Sequence, residues 1–134
     1  MVAAPIGWHA VWFRVSSGPV ASTGPQLSNV PLPAPTLVSS SAIQVNGQLL
    51  APRGVRLIIA TDADPTRSRS PYSTPPLHYP RGWTIGSALA GNPYIELLWI
   101  RGNGQSYLAA AKIGPEASGT DLKALARIVD SFSL

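Results

Sequence analysis

The sequence predicts an α+β domain, an antiparallel β-sheet of about five or six strands with a C-terminal α-helix packed on one face. Three observations predict it. Two apolar runs of matching length, Tyr94 to Arg101 and Gln105 to Ile113, flank Gly102-Asn103-Gly104 and define a β-hairpin. After them Leu122, Leu125, Ala126, Val129 and Phe132 recur at helical intervals. The 12 glycines and 14 prolines in 134 residues suit frequent reversals between short strands and argue against a helical protein. With 45% hydrophobic residues the chain has material for one core, and it reads as a single domain over 1–134.

Each element has its own warrant. Trp8 to Val15 is rich in aromatic and β-branched residues and is bounded by Gly7 and by Ser17-Gly18-Pro19, which makes it a first strand. Period two sets Val11, Phe13 and Val15 on one face and Trp8, Ala10 and Trp12 on the other. Residues 19–38 carry five prolines, which lack the N–H a ladder requires, so a surface connection with at most short strand pieces is expected there. Ala42 to Val45 and Gln48 to Leu50 flank Asn46-Gly47, a pair that tolerates positive φ at both centres of a type I′ turn. Val55 to Ala60 is a buried strand ended by Thr61-Asp62-Ala63-Asp64-Pro65. Residues 62–81 hold five prolines and no periodicity, and are expected to form a long loop, the most mobile part of the chain. Ser118 and Asp121 have capping-box spacing, opening an amphipathic helix over 119–131 that must lay its apolar stripe on the sheet.

Tyr79-Pro80-Arg81-Gly82-Trp83, the hairpin, the corner Lys112-Ile113-Gly114-Pro115-Glu116-Ala117-Ser118 and the closing Ala126-Arg127-Ile128-Val129-Asp130-Ser131-Phe132 together resemble a recurrent actinobacterial module. In that module an aromatic-Pro segment precedes a hairpin, an LGP-A corner leads into a terminal helix, and the chain ends on an ILDSL-like sequence. Over the first 60 residues the resemblance rests on a Gly-Trp-His opening strand. The element order is also similar to small α+β domains of the PsbP and Mog1 type. The resemblance implies a place behind a signal sequence or membrane anchor, and it implies no activity and no site residues.

Composition excludes several chemistries. With no cysteine the chain has no disulfide, thiol nucleophile or cysteine-based metal ligand. Two histidines and six carboxylates are few for an acid–base pair or a metal site, so no metal and no cofactor are expected. The net charge of +4 comes from dispersed residues: Arg14, Arg53 and Arg56 face no acid before residue 62, and past residue 81 four cations balance four acids. A nucleic-acid partner is therefore not expected. No apolar run reaches membrane-spanning length, and Met1-Val2-Ala3-Ala4-Pro5 has no basic n-region, so the chain is expected to be soluble in either compartment.

The candidate constellations are weak. Asp62-Ala63-Asp64 after a buried strand could hold a divalent cation, but Pro65 follows and aspartate is a favoured turn residue. His9 and His78 show no metal-ligand spacing, no G-x-S-x-G elbow is present, and neither Gly82-Trp83-Thr84-Ile85-Gly86 nor Gly102-Asn103-Gly104 is a phosphate cradle. Arg67, Arg69, Tyr72, His78, Tyr79 and Arg81 crowd into one loop and mix guanidinium with aromatic faces, as polyanion binders do, but no lysine joins them and a solvated loop is the favoured reading. Trp8 and Trp12 share a strand face and are assigned to a second core layer, with an exposed aromatic platform as the alternative. The reading is a non-catalytic interaction or assembly module whose partner is a protein or a second copy, with Trp8, Trp12, Arg67, Arg69, Tyr72, Tyr79 and Arg81 as candidate contacts. The alternatives are a hydrolase or transferase using Asp62 and Asp64, and a weak polyanion binder acting through residues 65–81.

Overall fold

The computed structural model describes residues 4–17, 20–31, 36–39, 42–44, 52–62, 71–85 and 95–133. Its elements are β1 (His9–Ser17), β2 (Val20–Ser28), β3 (Thr36–Ser39), β4 (Ala42–Gln44), β5 (Val55–Thr61), β6 (Thr84–Ile85), β7 (Ile95–Gly102), β8 (Gln105–Ile113) and α1 (Gly119–Asp130). Among the described residues the main sheet is antiparallel, with strand order β1-β2-β5-β8-β7-β6, and β3 and β4 form a separate two-stranded ribbon. The expected α+β fold, sheet plus C-terminal helix, is what the chain adopts.

β5 is the centre. Its residues Val55 to Ala60 are all buried, as expected of a strand covered on both sides. Val55, Leu57 and Ile59 point to the face carrying α1, where they pack with Leu125, Ile128, Val129 and Phe132. Ile58 and Ala60 point the other way and pack with Phe13. Ala109 and Ala111 of β8 lie opposite Ile59 and Leu57 and are fully buried, their small side chains leaving room for the larger ones on the helix.

The hairpin and the helix form where the sequence places them. Asn103 (φ 51°) and Gly104 (φ 75°) occupy the positive-φ positions of a two-residue turn that pairs Gly102 with Gln105. Ser118 caps α1, its Oγ accepting from Asp121 N at 3.1 Å, while the Asp121 carboxylate accepts from Asn29 Nδ2 at 2.9 Å. That second bond ties the first turn of the helix to the end of β2, because Asn29 Oδ1 in turn accepts from Val55 N at 2.7 Å.

Residues 19–38 depart from expectation. In place of a surface connection they hold β2, nine residues long and set between β1 and β5. Proline is tolerated because the β2–β5 ladder runs only from Gln26 to Ser28, so Pro25 lies just past its end and no bond to β5 is forfeited. Beyond Pro25 the strands are joined by side chains: Ser22 Oγ donates to Thr61 O at 2.6 Å, and Thr23 N donates to Thr61 Oγ1 at 3.0 Å. Between these attachments Gly24 brings the two backbones so close that a Cβ there would collide with the Ile59 carbonyl.

The long loop also differs. Residues 71–83, expected to be mobile, are fastened to the sheet: Ser73 N donates to Trp99 O at 2.8 Å, Arg101 N donates to Ser73 O at 2.9 Å, and Leu77 is buried in the main core. Together with β6 this strap covers the outer edge of β7. Ala42 to Gln44 does form a strand, paired with Thr36–Ser39, whereas the Asn46-Gly47 turn and Gln48 to Leu50 lie outside the described residues.

Gly24→Ala is expected to lower stability by about 3 kcal/mol or more, because the methyl meets backbone that cannot rotate away. Urea denaturation measures this; a loss below about 0.5 kcal/mol, the range of neutral surface changes, would show that the strands do not approach so closely.

Candidate functional site: an apolar cleft beside Trp12

α1 lies over β5, and among the described residues no helix lies on the β1–β2 side of the same sheet face. A cleft of about 510 Å³ occupies that uncovered corner. Its floor is Leu27 and Ile59, one wall is Trp12 with Pro25, and the opposite wall is Tyr107 with Phe132. The volume is within the range of small-ligand and side-chain pockets.

Local bonding explains how the walls stand. Trp12 is 72% exposed, yet its indole is held: Nε1 donates to Thr23 Oγ1 at 3.0 Å, and that hydroxyl donates to Phe13 O at 2.9 Å. The ring's one polar atom is thus occupied within the protein and its face is left for an apolar contact. On the far wall Tyr107 and Phe132 meet edge to face, centroids 6.1 Å apart, and Tyr107 directs its hydroxyl away to Gln105 Oε1 at 3.0 Å. Tyr107 is the one ionisable side chain among the described residues lining the cleft. The lining offers shape and apolar surface, with no acid–base pair to move a proton.

The two tryptophans assigned together have different fates. Trp8 is half-buried against the main core, as expected of a core residue. Trp12 is corrected from core to surface, since the helix does not extend over β1. Ile6, Val11 and Trp12 are the large hydrophobic residues exposed among those described, and all belong to the same N-terminal sheet edge.

The other candidates are dispersed. Tyr79 stacks edge to face on Trp83 at 5.3 Å and hydrogen-bonds Glu96; burial first, and then that bond and the charge of Glu96, push its phenol well above the ordinary tyrosine value. Trp83 Nε1 donates to His78 O at 2.7 Å, and His78 Nδ1 lies 3.2 Å from Asp130 Oδ1, both side chains more than half exposed. Tyr72 sits under the Arg101 guanidinium, 4.7 Å from ring centre, at the other end of β7 from Glu96. Arg81 is exposed in the turn before Trp83. The tyrosines therefore occupy opposite ends of β7, across the sheet from Trp12, and do not join it in one site. Arg67, Arg69 and Asp64 lie outside the described residues. Asp62 is buried after β5, its N–H donating to Ser106 O at 2.9 Å. His9 and His78 fall on opposite faces of the sheet.

The cleft walls from β2 and β8 were not among the sequence candidates. β2 lacks alternating apolar residues, and nothing local marks Pro25 or Tyr107 as neighbours of Trp12. Among the described residues no group of three or more His, Asp or Glu is placed to hold a metal ion, and no helix is long and apolar enough to cross a membrane. No family model matches the chain, and neither does any curated protein or solved structure.

The raised phenol of Tyr79 has a consequence at alkaline pH. In the unfolded chain tyrosine ionises near its ordinary value of 10, while folded Tyr79 holds its proton. The unfolded state then binds fewer protons, so this contribution to stability is complete below pH 10 and is lost as pH rises beyond it. Denaturant melts across that interval should show a steeper loss in the wild type than in Tyr79→Phe; equal slopes would refute the assignment.

Proposed function

We propose that the protein is a non-catalytic interaction module that accepts an apolar segment of a protein partner in the cleft beside Trp12. The observation that carries this reading is the exposed indole, held upright by Thr23 in the wall of a cleft whose described lining is mostly apolar and uncharged. Keeping a large aromatic surface in water has a cost for a free domain, and tryptophan fixed in a pocket wall is the side chain most enriched among residues that dominate binding energy.

Three further features support it. Trp12, Thr23 and Phe13 are linked by two hydrogen bonds, so the indole loses little freedom when a partner arrives. Val11, also exposed, contributes to the lining of the cleft. The lining carries no formal charge, so recognition would rest on shape and apolar burial and depend little on salt. The polyanion reading has less behind it, since the described part of the 65–81 loop spends Tyr79 on packing and Tyr72 on Arg101.

Selection of a displayed random-peptide library on the intact chain, with Trp12→Ala as the paired control, tests the proposal. Enriched peptides with apolar anchors are expected, and Trp12→Ala should weaken them by about tenfold or more, the effect of removing a central interface residue. Light scattering after size exclusion covers the case of a second copy as partner: a dimer that Trp12→Ala dissolves is the supporting result there. A strictly monomeric chain for which no peptide depends on Trp12 would overturn the reading. Because Trp12 is mostly exposed, the variant should keep its fold, which circular dichroism checks.

A further inference from the structure

The polar side chains around the cleft are engaged within the protein, which restricts what can lie beside Trp12. Trp12 Nε1 donates to Thr23 Oγ1, the Thr23 hydroxyl donates to Phe13 O, and the Tyr107 hydroxyl donates to Gln105 Oε1. Thr61 is held as well, its Oγ1 accepting from Thr23 N and its carbonyl from Ser22 Oγ. Trp12, Thr23, Thr61 and Tyr107 all line the cleft, and its described lining carries no formal charge. An ordinary extended peptide brings an N–H at every residue, and each one taken from water without an acceptor is unfavourable. A charged side chain would meet no counter-charge there. The matching occupant is uncharged and has few N–H groups of its own.

The sheet edges narrow the choice further. Strand addition, in which backbone bonds carry recognition, needs an open edge. Among the described residues β3 approaches β1, and the opposite edge is covered by β6 and by Ser73. Recognition in the cleft therefore falls to side chains, and both of its walls are aromatic: Trp12 on one side, Tyr107 and Phe132 on the other. Register sets Pro25 directly opposite Trp12, and the two form one wall. Directly opposed residues have Cβ atoms about 5 Å apart, so the chain already places a pyrrolidine ring beside this indole.

We propose that the segment the cleft accepts is proline-rich and uncharged, and that it docks in the polyproline II conformation between Trp12 and the Tyr107–Phe132 wall. This rests on the reading of the cleft as an interaction site and narrows it to one kind of partner. Proline has no N–H to leave unpaired, and its ring is apolar and uncharged. A polyproline II backbone makes no internal hydrogen bonds and keeps its carbonyls in water, so it asks little of a lining whose donors are engaged. It is also formed before it binds, and loses little freedom on docking against a wall that is itself fixed by hydrogen bonds. Aromatic-lined grooves are the surfaces to which such segments dock.

The test takes the displayed peptides that the intact chain selects and that Trp12→Ala releases, and asks what they share. Two or more prolines in each are expected, and replacing those prolines by alanine should weaken binding about tenfold or more. Titration of the wild-type chain with a selected peptide should shift the Trp12 Nε1–H resonance, a readout that needs no variant to fold. Raising the salt concentration should leave the affinity unchanged, since no charge pair is involved. Trp12-dependent peptides that lack proline, or that bind equally well as their alanine versions, would overturn the proposal while leaving the interaction module standing. Affinity that falls steeply with salt would overturn it too. A Trp12-dependent dimer that binds no proline-rich peptide would overturn it in favour of a second copy as occupant. The absence of any Trp12-dependent peptide or dimer would remove both readings together.

Discussion

The architecture turns on how closely β2 can approach β5. Regular pairing between them covers three residues, after which Pro25 has no N–H to offer and Gly24 has no side chain to obstruct. The backbones meet at Gly24 and Ile59, and Ser22 and Thr23 complete the junction through Thr61. This crossing carries the β1–β2 hairpin alongside the core while letting it leave the regular ladder. Thr23, Gly24, Pro25, Ile59 and Thr61 of this crossing also line the cleft beside Trp12, so one steric allowance joins the sheet's integrity to that corner.

Helix α1 explains the rest of that corner. Its buried residues Leu125, Ile128 and Val129 are matched to the apolar row of β5 and to the small residues of β8. A 12-residue helix covers only part of a six-stranded sheet, and the bond from Asn29 to Asp121 fixes which part. The covered part is the hydrophobic centre. Among the described residues no helix lies on the corner beside Trp12, β3 approaches β1, and the opposite edge of the sheet is closed by β6 and by Ser73.

The two sheet faces differ in kind. On the helix side the described cleft lining is mostly apolar and the polar atoms of Trp12 and Tyr107 are turned to partners within the protein. On the other side Ser28, Arg56 and Lys112 are buried in a row beside the smaller cluster of Phe13, Ile58 and Ala60. The register of β5 and β8 sets two cations, Arg56 and Lys112, opposite each other under cover on this face.

By itself the sequence determined the elements whose stability is local. The β7–β8 turn follows from Asn103-Gly104, the start of α1 from Ser118, its buried stripe from apolar spacing, and β5 from a run of aliphatic residues around Arg56. Only the tertiary structure decided β2, because its warrant is a close approach to Ile59 and side-chain bonds to Thr61, some 38 residues away along the chain. The exposure of Trp12 depended on where the helix stops, and the pairing of Arg56 with Lys112 on the register of two strands separated by more than 40 residues. Spacing along a chain reveals which residues share a face of one element; which faces meet is set by long-range packing, and the candidate site in this protein is made there.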